Sequence, residues 1–354
     1  MARAILALGM VCMTLGACAA PSASSSGATG GSATGQCAGA GCGAVPAGAG
    51  ATSGLSVFVE PAAGETPVLH AIEGAQRSVW AEIYLLTDRN VINALEDAAN
   101  RGVDVRVLLE LSPYGSGSTG PQETLQELQA AGVKAEGADP AYHYTHEKVI
   151  IVDGATLEIL TANLSKSGLG GSSYSKNREY GVVDTNAADV QEAMSIFSAD
   201  WQRTAPTLTD PNLVVSPVNA RPRIAAFIAS AKSTLFVEDE EMYDTASVDA
   251  LIAAAKRGVT VEVVLPAPNG SAGAEPTVAR LLQGGVRVRY ISTVYMHAKM
   301  MLADGERAFI GSENFSATSL DDNRELGLLI ADSSVIGTLN QTFQQDWGDA
   351  QDAA

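Results

Sequence analysis

His146-Glu-Lys148-Val-Ile-Ile-Val-Asp153-Gly-Ala-Thr-Leu-Glu-Ile-Leu-Thr161-Ala-Asn163 is written twice in this chain. The second copy is His297-Ala-Lys299-Met-Met-Leu-Ala-Asp304-Gly-Glu-Arg-Ala-Phe-Ile-Gly-Ser312-Glu-Asn314. His, Lys, Asp, the hydroxyl residue and Asn keep the same spacings in both. The chain has only four histidines, and two of them open these copies.

The spacing has physical content. Val149 to Val152 is an apolar run that reads as a buried strand. Side chains two apart on a strand share a face, so His146 and Lys148 point the same way. Asp153-Gly154 is a turn signal and Thr156 to Ala162 a returning strand, which together make a hairpin. Folded back in register, the hairpin is expected to lay Thr161 and Asn163 beside the His–Lys pair. The second copy repeats this with Asp304-Gly305, Ser312 and Asn314. Each copy then offers a nucleophile or acid, a fixed positive charge and an amide donor, a set suited to an anionic tetrahedral centre such as a phosphoryl group. A lone His-x-Lys is weak evidence and an Asp-Gly turn is ordinary hairpin chemistry, but the two matched copies reinforce each other. Each is also followed by Asn-Arg-Glu, at Asn177-Arg178-Glu179 and Asn323-Arg324-Glu325. A carboxylate there can hold an imidazole Nδ1–H and fix its tautomer.

These residues resemble the phospholipase D superfamily, whose mark is a duplicated His-x-Lys-x4-Asp followed by Gly-Ser-x-Asn. The likeness covers nearly the whole chain after about residue 55. It implies an α/β fold of two pseudo-symmetric α/β/α lobes with the active site at their interface. It also implies a catalytic set of His146, Lys148, Asp153, His297, Lys299 and Asp304. Thr161, Asn163, Ser312 and Asn314 would bind the substrate phosphate, and Glu179 and Glu325 would stand behind the histidines. Asp153 and Asp304 read as supports behind the site or as turn-forming residues rather than as direct participants. The first copy departs from the pattern, with Leu160-Thr161-Ala162-Asn163 in place of Gly-Ser-x-Asn.

Residues 1–17 read as an export signal: Arg3 gives a short positive start, Ala4 to Leu15 an apolar run, and Leu15-Gly16-Ala17-Cys18 looks like a lipobox with Cys18 acylated. A plain secretory signal cut near Ala20 is the alternative. Residues 18–54 are a Gly-, Ala- and Ser-rich tether. It contains Cys37 and Cys42, which could close a small disulfide loop in an oxidising compartment.

The body is an internal repeat. Ala98-Ala-Asn-Arg-Gly-Val-Asp-Val-Arg-Val-Leu-Leu-Glu110 matches Ala254-Ala-Lys-Arg-Gly-Val-Thr-Val-Glu-Val-Val-Leu-Pro266. The strand-like Trp80 to Leu86 and Phe236 to Tyr243 sit in matching places. Each lobe reads as strand–helix–strand–helix–strand–hairpin with a mixed sheet. Ala205 to Pro211 breaks any regular element, which divides the body into lobes at 55–205 and 206–354.

Of 354 residues, 46% are hydrophobic and the formal net charge is −18. Such an acidic chain does not suit a protein that grips nucleic acid along its backbone. The leading expectation is a lipid-anchored phospholipase D-like phosphodiesterase of the cell envelope, with a phospholipid as its substrate and the membrane as its partner. It would cleave or transfer a phosphatidyl group through a phosphohistidine, with His146 attacking and His297 protonating the leaving oxygen. Lys148, Lys299, Asn163 and Asn314 would hold the non-bridging oxygens; no metal and no cofactor is expected. A cardiolipin synthase-like phosphatidyltransferase is an alternative, set second because such enzymes normally add membrane-spanning helices. A nuclease or phosphodiesterase of the same fold is the other.

Overall fold

The computed structural model describes residues 54–115, 119–173, 176–268 and 276–353. The export signal, Cys18, residues 18–53 of the tether and Cys37 and Cys42 lie outside the described residues.

The first lobe runs β1 (Leu55–Glu60), α1 (Thr66–Gly74), β2 (Ser78–Ile83), α2 (Arg89–Asn100), β3 (Asp104–Leu109), α3 (Thr119–Ala130), β4 (Lys134–Gly137), β5 (Lys148–Val152), β6 (Thr156–Leu160), β7 (Asn177–Asp184) and α4 (Ala187–Trp201). The second runs β8 (Leu213–Ser216), α5 (Ala220–Ser230), β9 (Thr234–Asp239), α6 (Thr245–Lys256), β10 (Thr260–Pro266), α7 (Pro276–Gln283), β11 (Arg287–Ile291), β12 (Tyr295–Met296), β13 (Lys299–Ala303), β14 (Arg307–Gly311), α8 (Ala317–Asp321), β15 (Glu325–Ile330), α9 (Ser333–Asp349) and β16 (Gln351–Asp352).

The two sheets share one plan. Strand order is β1-β7-β6-β5-β2-β3-β4 in the first and β16-β11-β10-β9-β13-β14-β15-β8 in the second. In each, three parallel strands are joined by crossover helices and continued by an antiparallel hairpin, which gives the mixed α/β sheet expected. The hairpin strands β5 and β13 are buried at every residue, as strands covered on both faces must be. Helix starts follow from capping side chains: Asp88 accepts the N–H of Asn90 (2.9 Å) and Val91 (3.3 Å), and Asp244 that of Ser247 (2.7 Å).

Each lobe has its own core beneath its outer helices, α1 to α3 in one and α5 to α7 in the other. A third core is common to both. It joins Ile151 and Leu157 of the first hairpin to Met300 and Ile310 of the second, together with Phe197 of α4 and Phe343 of α9. Trp201 and Trp347 stack on these two phenylalanines, at 5.7 and 5.9 Å between ring centroids, so both tryptophans serve packing.

Candidate active site

Each motif histidine ends a short segment that pairs with the opposite lobe. β12 lies parallel to β7, with Tyr295 opposite Asn177 and Met296 opposite Arg178. The His297 N–H then donates to Arg178 O (3.3 Å). The first lobe mirrors this. Arg324 N–H donates to Tyr144 O (2.9 Å) and His146 N–H to Arg324 O (2.8 Å). The Asn-Arg-Glu of one lobe is thereby laid alongside the histidine of the other.

This pairing decides where the carboxylates go. Nδ1 of His146 is 2.7 Å from Glu325 Oε2, and Nδ1 of His297 is 2.7 Å from Glu179 Oε1. The carboxylates expected behind the rings are present but exchanged between lobes. Buried hydrogen bonds hold them: Asn177 donates to Glu179 (2.9 Å), Asn323 to Glu325 (2.9 Å) and the Ser319 hydroxyl to Glu325 (2.7 Å). The arginines between them clamp the lobes. Arg178 forks onto Asp346 of α9, and Arg324 reaches Asp200 of α4 (2.8 Å) and the Tyr142 hydroxyl.

Four expected roles need correction. Thr161 and Ser312 do not face a phosphate. Both are fully buried; the Thr161 hydroxyl donates to Glu179 (2.6 Å), and Ser312 bonds the Glu325 carboxylate. The register explains why. Val149 opposes Ile159, so continued alternation would put Thr161 on the face away from His146 and Lys148. β6 stops at Leu160, and the bend there returns the hydroxyl to Glu179. Asp153 and Asp304 stand in the turns, as their own reading had it, and not beside the histidines where the catalytic set implied by the resemblance would put them. They lie at the far ends of β5 and β13, in turns whose φ is positive at Asp153 (54°), Gly154 (60°), Asp304 (57°) and Gly305 (66°). Their carboxylates accept backbone N–H groups, of Gln76, Arg77 and Ser78 for Asp153 and of Lys232, Ser233 and Thr234 for Asp304. These bonds pin the starts of β2 and β9. Asn163 and Asn314 keep buried Oδ1 atoms that accept no hydrogen bond among the described residues, which leaves each an acceptor for a donor group of a ligand, whereas a phosphate oxygen would need the Nδ2 donors.

The missing motif glycine has a steric explanation. A Cβ on Gly311 would come within 2.2 Å of Glu313 Oε2. In the first lobe Ala162 stands where Glu313 does, and the space accepts Leu160.

The two half-sites differ electrostatically. Burial pushes the His146 imidazole down to about 4, which leaves it neutral with its Nδ1–H donated to Glu325. Its Nε2 hydrogen-bonds to nothing among the described residues. Burial would raise Glu325, but the His146 ring, with Lys148 behind it, holds that carboxyl below its ordinary value. Lys148 and Lys299 are both almost wholly enclosed, and each donates to the carbonyl of its own histidine (2.6 Å). Burial takes the Lys148 ammonium down to about 7. Lys299 is as buried, yet Glu240 and Glu179 hold it above its usual value.

Glu240 is the residue that the motif search missed. Its Oε2 lies 3.2 Å from His297 Nε2 and 3.1 Å from Lys299 Nζ, and its Oε1 accepts the Tyr295 hydroxyl (2.9 Å). The signal was in the repeat: counting back four from the cap residues Asp88 and Asp244 gives Tyr84 and Glu240. Among the described residues no group of three or more His, Cys, Asp or Glu side chains is arranged to hold a metal ion.

Two lobes that complete each other's His–Lys half-sites define a duplicated-motif protein of the phospholipase D superfamily. The chain belongs to the family described as "Cardiolipin synthase, PLD-like domain", which matches residues 68–201 and 224–347. Among curated relatives, the probable cardiolipin synthase YwiE of Bacillus subtilis strain 168 is 24% identical over 322 residues, covering 80% of this chain and 64% of that protein. Cardiolipin synthase 2 of Staphylococcus epidermidis is 24% identical over 324 residues, covering 79% and 65%. The chain thus spans under two thirds of the length of these relatives. Two solved structures share the fold. A polyphosphate kinase from Porphyromonas gingivalis has a TM-score of 0.68 at 14% identity, over 84% of this chain and 48% of its own. The phosphatidylserine synthase of Haemophilus influenzae Rd KW20 has a TM-score of 0.64 at 12% identity, over 85% and 88%. No helix of the described residues is long and apolar enough to cross a membrane.

Proposed function

We propose that the chain is a phosphatidyltransferase that works through a phosphohistidine on His146. The observation that carries this reading is the pair of imidazoles, each locked at Nδ1 by the other lobe's carboxylate while His146 keeps a free Nε2. His146 Nε2 attacks phosphorus, the P–O bond to the leaving alcohol breaks, and His297 Nε2–H gives that alcohol its proton. His297, now neutral, takes the proton of an acceptor hydroxyl, whose oxygen displaces His146 from phosphorus. Lys148, Lys299, Asn163 and Asn314 hold the non-bridging oxygens during both steps.

On the residues alone hydrolysis comes first. The names of the curated relatives support transfer to an alcohol instead, and water becomes the competing acceptor. Cardiolipin carries two phosphatidyl groups on one glycerol, so a transferase of that kind moves a phosphatidyl group onto the glycerol of a second phosphatidylglycerol and releases free glycerol. Purified protein on phosphatidylglycerol vesicles should yield a diphosphatidyl lipid and glycerol. Phosphatidic acid as the only lipid product would make the protein a hydrolase, and turnover of single-stranded DNA but not lipid would sink the lipid reading. We also propose that Cys18 carries a lipid anchor holding the exported protein on the cell envelope. Cys18→Ser should then move it from the membrane fraction to the soluble one, and unchanged partition would reject the anchor.

A further inference from the structure

The two half-sites match at histidine, lysine, hydroxyl, amide and carboxylate, and differ just beyond the ends of β2 and β9. In the first lobe the Tyr84 ring stands edge-on to His146, with centroids 4.4 Å apart, and Lys148 Nζ lies 5.0 Å from the Tyr84 centroid. In the second lobe that place holds the Glu240 carboxylate. It contacts the reactive nitrogen of His297 and the ammonium of Lys299, the two groups that a phosphodiester's oxygens would have to reach.

His297 therefore stands between two carboxylates, Glu179 at Nδ1 (2.7 Å) and Glu240 at Nε2 (3.2 Å). A neutral imidazole has one N–H and can donate to only one of them, leaving the other nitrogen's lone pair against a negative oxygen. An imidazolium carries a positive edge at both nitrogens and forms an ion pair with each carboxylate. The groups around the ring are Glu179 from β7, Glu240 after β9, Tyr295 from β12 and Lys299 from β13; the Lys299 ammonium, 3.3 Å from Nδ1, opposes a charge on the ring, and the two carboxylates act against it. From the first lobe comes Lys148, close enough to feel Glu179 and Glu240. Glu240 itself is firmly ionised: burial would raise it, but His297, Lys299 and the Tyr295 hydroxyl outweigh burial and hold it far below the usual carboxylate range.

We propose that Glu240 is a positioning residue that keeps His297 doubly protonated in the empty site and yields Nε2 and Lys299 to the incoming phosphodiester. This rests on the phosphohistidine reading above. The proton needed by the leaving alcohol is then in place before the P–O bond breaks. Glu240 gains and loses nothing itself: the proton passes from His297 Nε2 to the alkoxide as the His146–phosphorus bond forms. The asymmetry assigns opposite starting states to the two rings, one a free base and one a loaded acid.

The test uses the full chain, Glu240→Gln, and Glu240→Tyr, which installs the first lobe's residue. With only four histidines, ¹⁵N-labelled imidazole spectra are resolvable, and His297→Gln assigns the signal. In the wild type both ring nitrogens of His297 should show as N–H, and in both Glu240 variants only one of them. General acids contribute on the order of 10²- to 10⁴-fold with poor leaving groups. At pH 8, Glu240→Gln should therefore slow adduct formation from an alkyl diester at least about ten-fold more than from a nitrophenyl diester. The gap should narrow towards pH 6, and KM for the diester should fall as the competing carboxylate is lost. A neutral His297 in the wild type, or equal slowing of both esters at every pH, overturns the proposal. If the spectra change as expected but the wild type forms no phosphohistidine, the Glu240 assignment stands and the chemical reading fails.

Discussion

Nδ1 of His146 is held by a carboxylate 179 positions further along the chain, and this separation shapes what single substitutions do. Glu325→Gln leaves its amide oxygen to the Ser319 and Asn323 donors and turns an N–H₂ toward His146 Nδ1, which reverses the tautomer although the residue lies in the other lobe. By analogy with triad carboxylates, adduct formation should fall on the order of 10²- to 10⁴-fold with little change in KM. Quenched mass spectrometry separates the two rings. His146→Ala should give no phosphoryl adduct on any substrate. His297→Ala should accumulate adduct on His146 from a nitrophenyl diester, because the second step lacks its base. An adduct on His297 in the His146 variant would reverse the assignment. At this scale the histidines and lysines were legible, since their types and spacings recur. The ownership of Glu179 and Glu325 was not, because each follows its own lobe's histidine by a plausible interval and only tertiary pairing shows which ring it serves. Glu240 was hidden differently: its counterpart in the first copy is Tyr84, and matching residue types between the copies passes over a position where the type differs.

Among the elements, the hairpins were the most legible feature, with Asp-Gly at each turn and an apolar run before it. Their aspartates belong to the motif but read as turn residues, and they work as backbone anchors between hairpin and parallel strand. Asp304→Ala leaves the N–H groups of Lys232, Ser233 and Thr234 without their acceptor, and should cost about 1–3 kcal/mol in denaturant unfolding. Turnover per folded molecule should be kept; loss of turnover with stability intact would restore a catalytic role. The error over Thr161 was one of register, since with Val149 opposite Ile159 the pairing is one residue away from the register that would set Thr161 on the face of the His–Lys pair. Glu158, in the middle of β6, was not singled out at all. It is 2% exposed, and burial pushes its carboxyl up to about 8. The unfolded chain ionises near the ordinary value of about 4.3. Between these values the folded state keeps a proton that the unfolded state has lost, so Glu158 makes stability fall as pH rises from about 4 to about 8. Glu158→Gln should raise Tm over the wild type by an amount that grows across that window. A gain equal at pH 4 and pH 8 would contradict the shifted carboxyl.

At the scale of the whole molecule the two-lobed plan was visible in the repeat, while the extent of sharing between lobes was not. Apolar runs show that a strand is buried but not against what, and here the inner faces of both hairpins meet in one core with α4 and α9. Calorimetry of residues 55–354 should therefore show a single transition, and residues 55–205 expressed alone should fail to fold cooperatively. Two separate transitions would mean that the lobes are independent units. The exchanged carboxylates carry a further consequence, for heredity rather than chemistry. In most duplicated genes one copy can decay while the other preserves the activity. Here a change that ruins Glu325 disables a histidine in the first copy, and one that ruins Glu179 disables a histidine in the second. For the proposed activity neither copy can become a spare, so selection on it falls on both, while Leu160 with Ala162, or Glu240, are places where one lobe differs from its twin without unseating it.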